Sequence, residues 1–146
     1  MGELFAVVSG KGGTGKTSLC AALATALAKE GKRVLCIDCD VGLRNLDISL
    51  GLSECGALSF WDVSEGGYSL EDAFRHPVYP TLAFLTAPMN CPVEKINTAA
   101  FGEMLSRARQ IFDYVFLDAP AGVDAGFRLT AQFADRFLLV TGAGPA

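Results

Sequence analysis

Histidine is nearly absent from this chain of 146 residues, and long apolar runs are absent altogether. The single histidine, His76, precedes Pro77 in a predicted turn with no serine or cysteine nucleophile beside it. We therefore assign it a structural role and find little support for a hydrolase triad. The absence of any run of about 18 apolar residues excludes a transmembrane helix. Glu3 interrupts the N-terminal segment, which argues against a signal peptide.

Positive charge is also scarce, since the formal net charge is −4. This excess of negative charge argues against general electrostatic binding of nucleic acid, so no nucleic acid partner is expected. The composition is 51% hydrophobic, which excludes a disordered chain. The length predicts a single domain over residues 1–146.

The five cysteines are an odd number and lie mostly in apolar segments, as reduced core cysteines of a cytoplasmic protein do. Cys36 and Cys39 have the spacing of a redox or metal pair. They fall on a predicted strand, however, where positions three apart face opposite sides. Packing is therefore the favoured role for both residues. The remaining cysteines are Cys20, Cys55 and Cys91.

A glycine-rich segment between a predicted strand and a predicted helix carries the clearest functional signal. Residues 4–9 are predicted to form a buried strand, and a helix is predicted from Thr17. Gly10 to Thr17 fits the phosphate-binding pattern Gly-x-x-x-x-Gly-Lys-Ser/Thr, in which backbone N–H groups and the helix N-terminus surround a phosphate. Lys16 can reach the β and γ oxygens, and the Thr17 hydroxyl can ligate Mg²⁺. The predicted nucleotide-binding residues are Gly10, Lys11, Gly12, Gly13, Thr14, Gly15, Lys16, Thr17 and Ser18.

Strands and helices alternate along the rest of the chain, which predicts an α/β fold with a doubly wound, mainly parallel sheet and helices on both faces. Strands are predicted at 4–9, 33–37, 81–86, 113–117 and 136–141. Helices are predicted at 17–30, 97–112 and 124–134, with two short helical pieces within 53–80. The first helix is predicted to bury Leu19, Leu23 and Leu27 with Ala22 and Ala26. The second is predicted to bury Phe101, Met104, Leu105, Ala108, Ile111 and Phe112.

Acidic residues follow two of the predicted strands. Asp38 and Asp40 come after the second strand, and Asp118 closes the fourth. In open α/β sheets ligands bind at the carboxyl ends of the strands. Carboxylates beside a bound phosphate repel it, so their presence indicates a cation that offsets the charge or a role in activating water. Asp118 is therefore a candidate for the Mg²⁺ shell.

The loop Gly-Lys-Gly-Gly-Thr-Gly-Lys-Thr resembles the deviant Walker A loop of the MinD/ParA family of P-loop ATPases. The resemblance implies that Lys11 reaches the partner's phosphates in an ATP-dependent homodimer. It also implies that Asp38 lies near Mg²⁺, that Asp40 and Asn45 position the attacking water, and that the N–H of Gly122 approaches the γ-phosphate. ATP and Mg²⁺ are the implied cofactors, and Lys11, Lys16, Asp40 and Asn45 are the implied catalytic residues.

The segment Asp-Cys-Asp-Val-Gly-Leu-Arg-Asn-Leu-Asp is most similar to the branch of this family that positions the division site. That branch implies a division-inhibitor partner, an ATPase-activating partner and a cytoplasmic location. Contact with the inner face of the cell membrane is implied only if a C-terminal helix exists. The resemblance covers the first part of a family member, so we expect a C-terminally truncated sheet with residues 137–140 as an apolar edge. It also places strand one between strands four and five, with strand two beyond four.

Three alternatives stay open at this point. A related ATPase could place flagella or partition DNA. An iron–sulfur carrier ATPase would need a cysteine ligand set, for which Cys91 alone is a poor candidate. A nucleotide-binding module without turnover is the third.

Overall fold

The computed structural model describes residues 2–8, 16–39, 58–88, 95–120 and 125–140, without the side chains of residues 16, 17, 125 and 126. Within these ranges six strands form one sheet in the order β3-β4-β2-β5-β1-β6. All neighbouring pairs are parallel except β3–β4. The strands are β1 (Glu3–Val8), β2 (Val34–Asp38), β3 (Phe74–Arg75), β4 (Leu82–Leu85), β5 (Tyr114–Asp118) and β6 (Arg136–Leu139).

The helices lie on both faces of this sheet. They are α1 (Lys16–Lys29), α2 (Phe60–Ser64), α3 (Thr98–Ile111) and α4 (Ala125–Ala131), with a 3₁₀ turn at Leu70–Asp72. Residues of α1 pack on one face, and residues of the other three helices pack on the opposite face. The doubly wound α/β prediction is therefore confirmed, including the position of β1 between β5 and β6.

Local signals place the ends of two helices. Asn97 caps α3, because its side chain accepts a hydrogen bond from the backbone N–H of Ala100 at 3.1 Å. Gly31 follows α1 with φ +85°, a conformation that glycine adopts without the steric cost of a Cβ atom. The predicted helix ranges, 17–30 and 97–112, end or begin beside these two residues.

The buried face of α3 is the one that the sequence predicts. Phe101, Met104, Leu105 and Ala108 are buried, Phe112 just after the helix is buried, and Ile111 is half-buried against the same cluster. Phe101 lies edge-on to Phe60 of α2, with ring centroids 5.2 Å apart. These contacts fix α2 and α3 on the same face of the sheet.

The predicted buried face of α1 is only partly right, since Leu23 and Leu27 pack against the cluster on this side and the other predicted residues do not. The residues against the sheet are small ones, Cys20, Ala21, Ala24 and Ala28. Leu19 is 39% exposed, Ala22 and Ala26 are exposed, and Leu23 and Leu27 are half-buried. The reason is the opposing sheet surface, where aromatic rings occupy the space between the two layers. Those rings belong to Phe5, Phe84, Tyr114 and Phe116.

The short strand β3 was not predicted. This strand has two residues and pairs antiparallel with β4 through Phe74↔Phe84 and Arg75↔Ala83. It lies at one edge of the described sheet, and β6 lies at the other. Phe137 and Leu139 of β6 are 51% and 68% exposed, which agrees with the predicted apolar edge.

Candidate functional site

The elements on either side of the predicted phosphate loop are a strand with a neighbour on each side and a helix. β1 ends at Val8 between β5 and β6, and α1 begins at Lys16. Lys16, Thr17 and Ser18 form the first turn of α1, where backbone N–H groups have no partner within the helix. This strand–loop–helix order is the structural setting that the glycine pattern requires. Residues 10–15 and the side chains of Lys16 and Thr17 lie outside the described part.

Two buried carboxylates stand next to the exit of β1. Asp38 is the last residue of β2 and Asp118 the last of β5, and each is 1% exposed. The two are register partners, and Asp118 is also the partner of Val7 in β1. Val7, Asp118 and Asp38 therefore form one row across three parallel strands, with neighbouring strands about 4.8 Å apart.

The row faces the side of the sheet on which α1 lies. Side chains alternate along a strand, so Asp38 points to the same side as Cys36, and Asp118 to the same side as Phe116. Cys36, Phe116 and Val7 all pack in the α1 cluster. Both carboxylates thus share a side with the helix whose N-terminus follows the glycine pattern.

Backbone hydrogen bonds hold the ends of the three strands together. Cys39 donates its N–H to the carbonyl of Asp118 at 3.0 Å, and Ala119 donates to Val7 at 3.1 Å. These bonds extend the sheet one residue beyond each aspartate, so the carboxylates belong to a rigid frame. Sequence reasoning found the acids themselves, but nothing in the sequence indicates this added pairing.

The donor set of the row suits Mg²⁺. Magnesium binds through one or two carboxylates together with water and phosphate oxygens, and it does not need a cage of protein ligands. Asp38 and Asp118 supply two hard oxygen ligands from adjacent strands, and Thr17 follows in the first turn of α1. Across the ranges that the structure describes, no three histidine, cysteine or acidic residues converge on a metal position. The carboxylate oxygens of the two aspartates are of the ligand type that magnesium prefers.

Asp40, Asn45 and Gly122 lie outside the described residues, as do Cys55 and Cys91. The predicted packing role of Cys36 and Cys39 is confirmed. Cys36 packs on the α1 side and Cys39 on the opposite side, and both are buried. His76 accepts backbone N–H bonds from Val78 and Tyr79 at its Nδ1, at 3.1 and 3.2 Å, and so shapes a turn.

A polar cluster at the amino end of β1 was not predicted. It lies where the parallel strands begin, whereas the aspartate row lies where they end. Arg109 of α3 makes a bidentate ion pair with Asp135, and its guanidinium also donates to the carbonyl of Phe133 at 3.1 Å. Asp135 accepts the N–H of Leu4 at 2.9 Å and donates its own N–H to the Leu4 carbonyl at 2.8 Å. We call Arg109, Asp135 and Leu4 the clasp. Its partners are 26 and 131 residues apart, so no local pattern indicates it.

Two carboxyls where the strands begin, those of Asp113 and Asp135, have shifted pKa values. Hydrogen bonds from Arg109 lower the pKa of Asp135 below its usual range, and the N–H of Leu4 acts in the same direction. The backbone N–H of Arg33, bonded at 2.8 Å, lowers the pKa of Asp113, and the Arg33 side chain adds to the effect. Each acid directly precedes a strand and accepts hydrogen bonds from another part of the chain. We therefore attribute the lowered pKa values to contacts that stabilise the fold and not to catalysis.

The fold and the site together define a nucleotide-binding domain. Residues 5–137 match the family model of the CobQ/CobB/MinD/ParA nucleotide binding domain, and the chain belongs to this family. Among described residues, no helix is long and apolar enough to cross a membrane.

Curated relatives narrow the likeness within the family. The septum site-determining protein MinD of Thermotoga maritima is 40% identical over 142 residues, which cover 97% of this chain and 52% of that protein. The Bacillus subtilis MinD is 38% identical over 143 residues, covering 97% and 53%. The chain thus spans about half the length of the curated relatives it matches.

Solved structures agree with this likeness. The MinC:MinD cell division protein complex of Aquifex aeolicus matches with a TM-score of 0.82 and 36% identity, over 94% of this chain and 55% of that one. MinD of Pyrococcus horikoshii complexed with Mg-ADP matches with a TM-score of 0.82 and 30% identity, over 97% and 58%. The predicted membership of the MinD/ParA family is confirmed.

Proposed function

We propose that this protein binds ATP with Mg²⁺ at the carboxyl edge of the sheet and hydrolyses it. The observation that carries the proposal is the row of Val7, Asp118 and Asp38 on the side of α1, next to the helix start that follows the glycine pattern. Family membership and the Mg-ADP complex of the Pyrococcus horikoshii relative support the same ligand class. We treat residues 1–146 as one unit, since every described strand joins one sheet.

The chain's own residues would divide the work as follows. The backbone of Gly10–Gly15 and the N-terminus of α1 surround the phosphates, and Lys16 contacts the β and γ oxygens. Asp38, Asp118 and the Thr17 hydroxyl would hold Mg²⁺, which supplies positive charge to the transferring phosphate.

Hydrolysis requires a positioned water and further positive charge. Asp40 and Asn45 would position the attacking water, and the backbone N–H of Gly122 would contact the γ-phosphate. Lys11 would complete the site of a second copy, so ATP would join two chains. The positive charges of the site would be in place before the reaction. They would favour in-line attack because they stabilise the negative charge that develops in the transition state.

We propose division-site positioning as the cellular role. Curated relatives from several bacteria are named septum site-determining protein MinD, and one matching structure is a MinC:MinD complex. A division-inhibitor protein of the MinC type is therefore the proposed partner, with an ATPase-activating protein as a second one. The proposed location is the cytoplasm, with peripheral contact at the inner face of the cell membrane where a membrane-binding helix is supplied.

A nucleotide-binding module without turnover is the second candidate, and the observation that favours it is that the matching family model describes a nucleotide binding domain. ATP binding measured beside phosphate release distinguishes the two, because the module would bind without releasing phosphate. At a free ATP concentration 100 times the dissociation constant, binding alone adds about 2.7 kcal/mol to the free energy of unfolding.

The central experiment replaces the loop lysine. Lys16→Ala should abolish Mg-ATP binding in calorimetric titration, because the β and γ oxygens lose their cation. Lys32→Ala is the matched control, since it removes an exposed lysine at the amino edge of the sheet. Unchanged ATP affinity in Lys16→Ala would overturn the site assignment.

A variant of the other loop lysine tests the ATP-dependent dimer. Lys11→Ala should keep ATP binding by the single chain but lose the ATP-dependent dimer in light scattering. A dimer that persists in Lys11→Ala would contradict the role of this lysine across the interface and leave the phosphate site intact.

A further inference from the structure

Residues 76–80 connect β3 to β4 and lie where the parallel strands begin, at the end of the sheet away from the aspartate row. His76 fixes the backbone of this turn, because its imidazole accepts the N–H groups of Val78 and Tyr79. His76 and Tyr79 are half-buried, and their ring centroids lie 5.2 Å apart. Val78 is 67% exposed. The turn therefore presents an apolar side chain to solvent from a backbone held by hydrogen bonds.

Positively charged side chains surround this turn. The Nζ atom of Lys29, in the last turn of α1, lies 5.8 Å from the centroid of the Tyr79 ring. Arg75 donates to the carbonyl of Pro80 at 3.4 Å. A lysine and an arginine also precede β2, whose first N–H donates to the carbonyl of Thr81 at 2.9 Å. The cations beside the turn, all of them exposed, are Lys29, Lys32, Arg33 and Arg75.

Most of this positive charge has no acidic partner. Arg33 pairs with Asp113 at 3.3 Å, whereas the other three cations make no ion pair with a carboxylate of the described residues. The exposed Glu30 lies between two of them in the sequence and offsets one charge. The whole chain has a formal net charge of −4, so this local excess is opposite in sign to the chain. A partner that is complementary to it carries negative charge.

We propose that this end of the sheet binds an acidic segment of another polypeptide, in which an apolar side chain lies between carboxylates. We call this surface the basic face, and it consists of Lys29, Lys32, Arg75, Val78 and Tyr79. The apolar side chain of the partner would pack on Val78, and the flanking carboxylates would pair with the cations around it. The fixed turn reduces the ordering that binding requires.

Other anionic partners match the basic face less well. Binding to an anionic membrane through charge typically uses about four to eight lysine and arginine residues, which is more than the three unpaired ones here. DNA binding depends mainly on contacts to phosphate, and phosphates offer no apolar partner to Val78. An acidic polypeptide needs only a few ion pairs, and it can supply an apolar side chain in the same segment.

The probe is the peptide Glu-Glu-Leu-Glu-Glu with a fluorescent label, and fluorescence anisotropy measures its binding. The peptide with glutamine in place of glutamate should bind about tenfold more weakly, because the cations lose their charged partners. The peptide with glycine in place of leucine should bind about threefold more weakly, because less apolar area is buried. Added salt should weaken binding of the probe, since it screens exposed charges.

Mg-ATP separates this surface from the proposed nucleotide site. The probe should bind equally well with and without saturating Mg-ATP, because the basic face lies at the opposite end of the strands from Asp38 and Asp118. Displacement of the probe by Mg-ATP would place its binding at the phosphate loop and overturn the proposal. A failure of the ATPase proposal would leave binding of the probe unchanged.

Paired substitutions locate the surface. Lys29→Gln with Lys32→Gln should weaken binding of the probe about tenfold, because two ion pairs are lost. Glutamine favours helix formation nearly as well as lysine, so the chain should stay folded. The matched control is Lys95→Gln with Arg128→Gln, which removes the same charge from exposed positions before α3 and on α4 and should leave the affinity unchanged.

Val78→Ser tests the apolar contact. It should weaken binding of the leucine peptide about threefold and leave that of the glycine peptide unchanged, because only the leucine peptide has a side chain that packs on Val78. Three further outcomes would overturn the proposal: the glutamate and glutamine peptides bind equally well, the two double variants weaken binding equally, or the peptide does not bind, whether or not phosphatidylserine vesicles do.

Discussion

Helices α1 and α3 have 14 residues each and lie on opposite faces of the sheet, yet they pack in opposite ways. α3 buries large side chains, Phe101, Met104 and Leu105, and exposes polar ones such as Ser106 and Gln110. α1 buries small side chains and exposes Leu19. The same sheet therefore accepts two different helix surfaces.

The difference comes from the sheet. Its α1 side carries aromatic rings, with Phe5 and Phe116 stacked at 5.4 Å and Tyr114 near both. Its α3 side carries aliphatic residues such as Leu35, Ile37 and Leu117, and there the helices supply the rings. At the α1 interface most of the rings come from the sheet, whereas at the α3 interface they come from the helices and the residues next to them.

The largest effect should follow from removing a ring on the α3 side. Phe101 is fully buried and contacts Phe60 and Phe133. Phe101→Ala should lower the free energy of unfolding by about 3–5 kcal/mol, since it leaves a cavity. Urea denaturation measures the loss.

Leu19→Ala on α1 is the comparison variant, because Leu19 is 39% exposed and little apolar area is lost with it. Its loss should be clearly smaller than that of Phe101→Ala. Equal losses for the two variants would show that the two helices do not differ in packing as described.

This contrast also explains which parts of the fold the sequence predicts. In α3 the buried apolar residues recur every three or four positions among polar ones, so this helical period identifies the buried side. α1 is apolar at nearly every position, and its period carries no such information. Asp38 and Asp118 were predictable because each closes an apolar strand. The clasp and β3 were not, because each depends on partners that only the folded chain brings together.

The first prediction removes side-chain volume on the α3 side of the sheet, and the second adds side-chain volume on the α1 side. Ala24 is fully buried in the cluster that holds Phe84 and Phe116. Ala24→Leu should cost about 1–3 kcal/mol of unfolding free energy, because the rings leave no room for the added methyl groups. Thermal and urea unfolding both report this loss.

Ala22→Leu is the matched control, with the same chemical change two positions earlier on the exposed side. It should change the unfolding free energy by less than about 0.5 kcal/mol. If Ala24→Leu is tolerated as well as Ala22→Leu, small side chains are not what lets α1 approach the rings.

The smallest effect concerns how the two helices end. Lys29 in the last turn of α1 lies 5.8 Å from the ring centroid of Tyr79, whereas Arg109 in the last turn of α3 belongs to the clasp. The pKa of Asp135 is lowered mainly by its hydrogen bonds to Arg109. A carboxyl whose pKa is lower in the folded state stabilises the fold above its unfolded pKa, and this contribution disappears as the pH falls through the folded value.

Asp135→Asn should therefore lower the unfolding free energy at about pH 7, and the difference from the parent should shrink towards about pH 3. The difference should stay below about 1 kcal/mol, because the ion pair is partly exposed and screened by solvent. Urea unfolding at both pH values measures it, with Glu71→Gln as an exposed control on the 3₁₀ turn. A loss that is equally large at both pH values would mean that Asp135 acts through its shape and not its charge. The end of α3 would then be anchored by packing alone, as α1 is along its buried face.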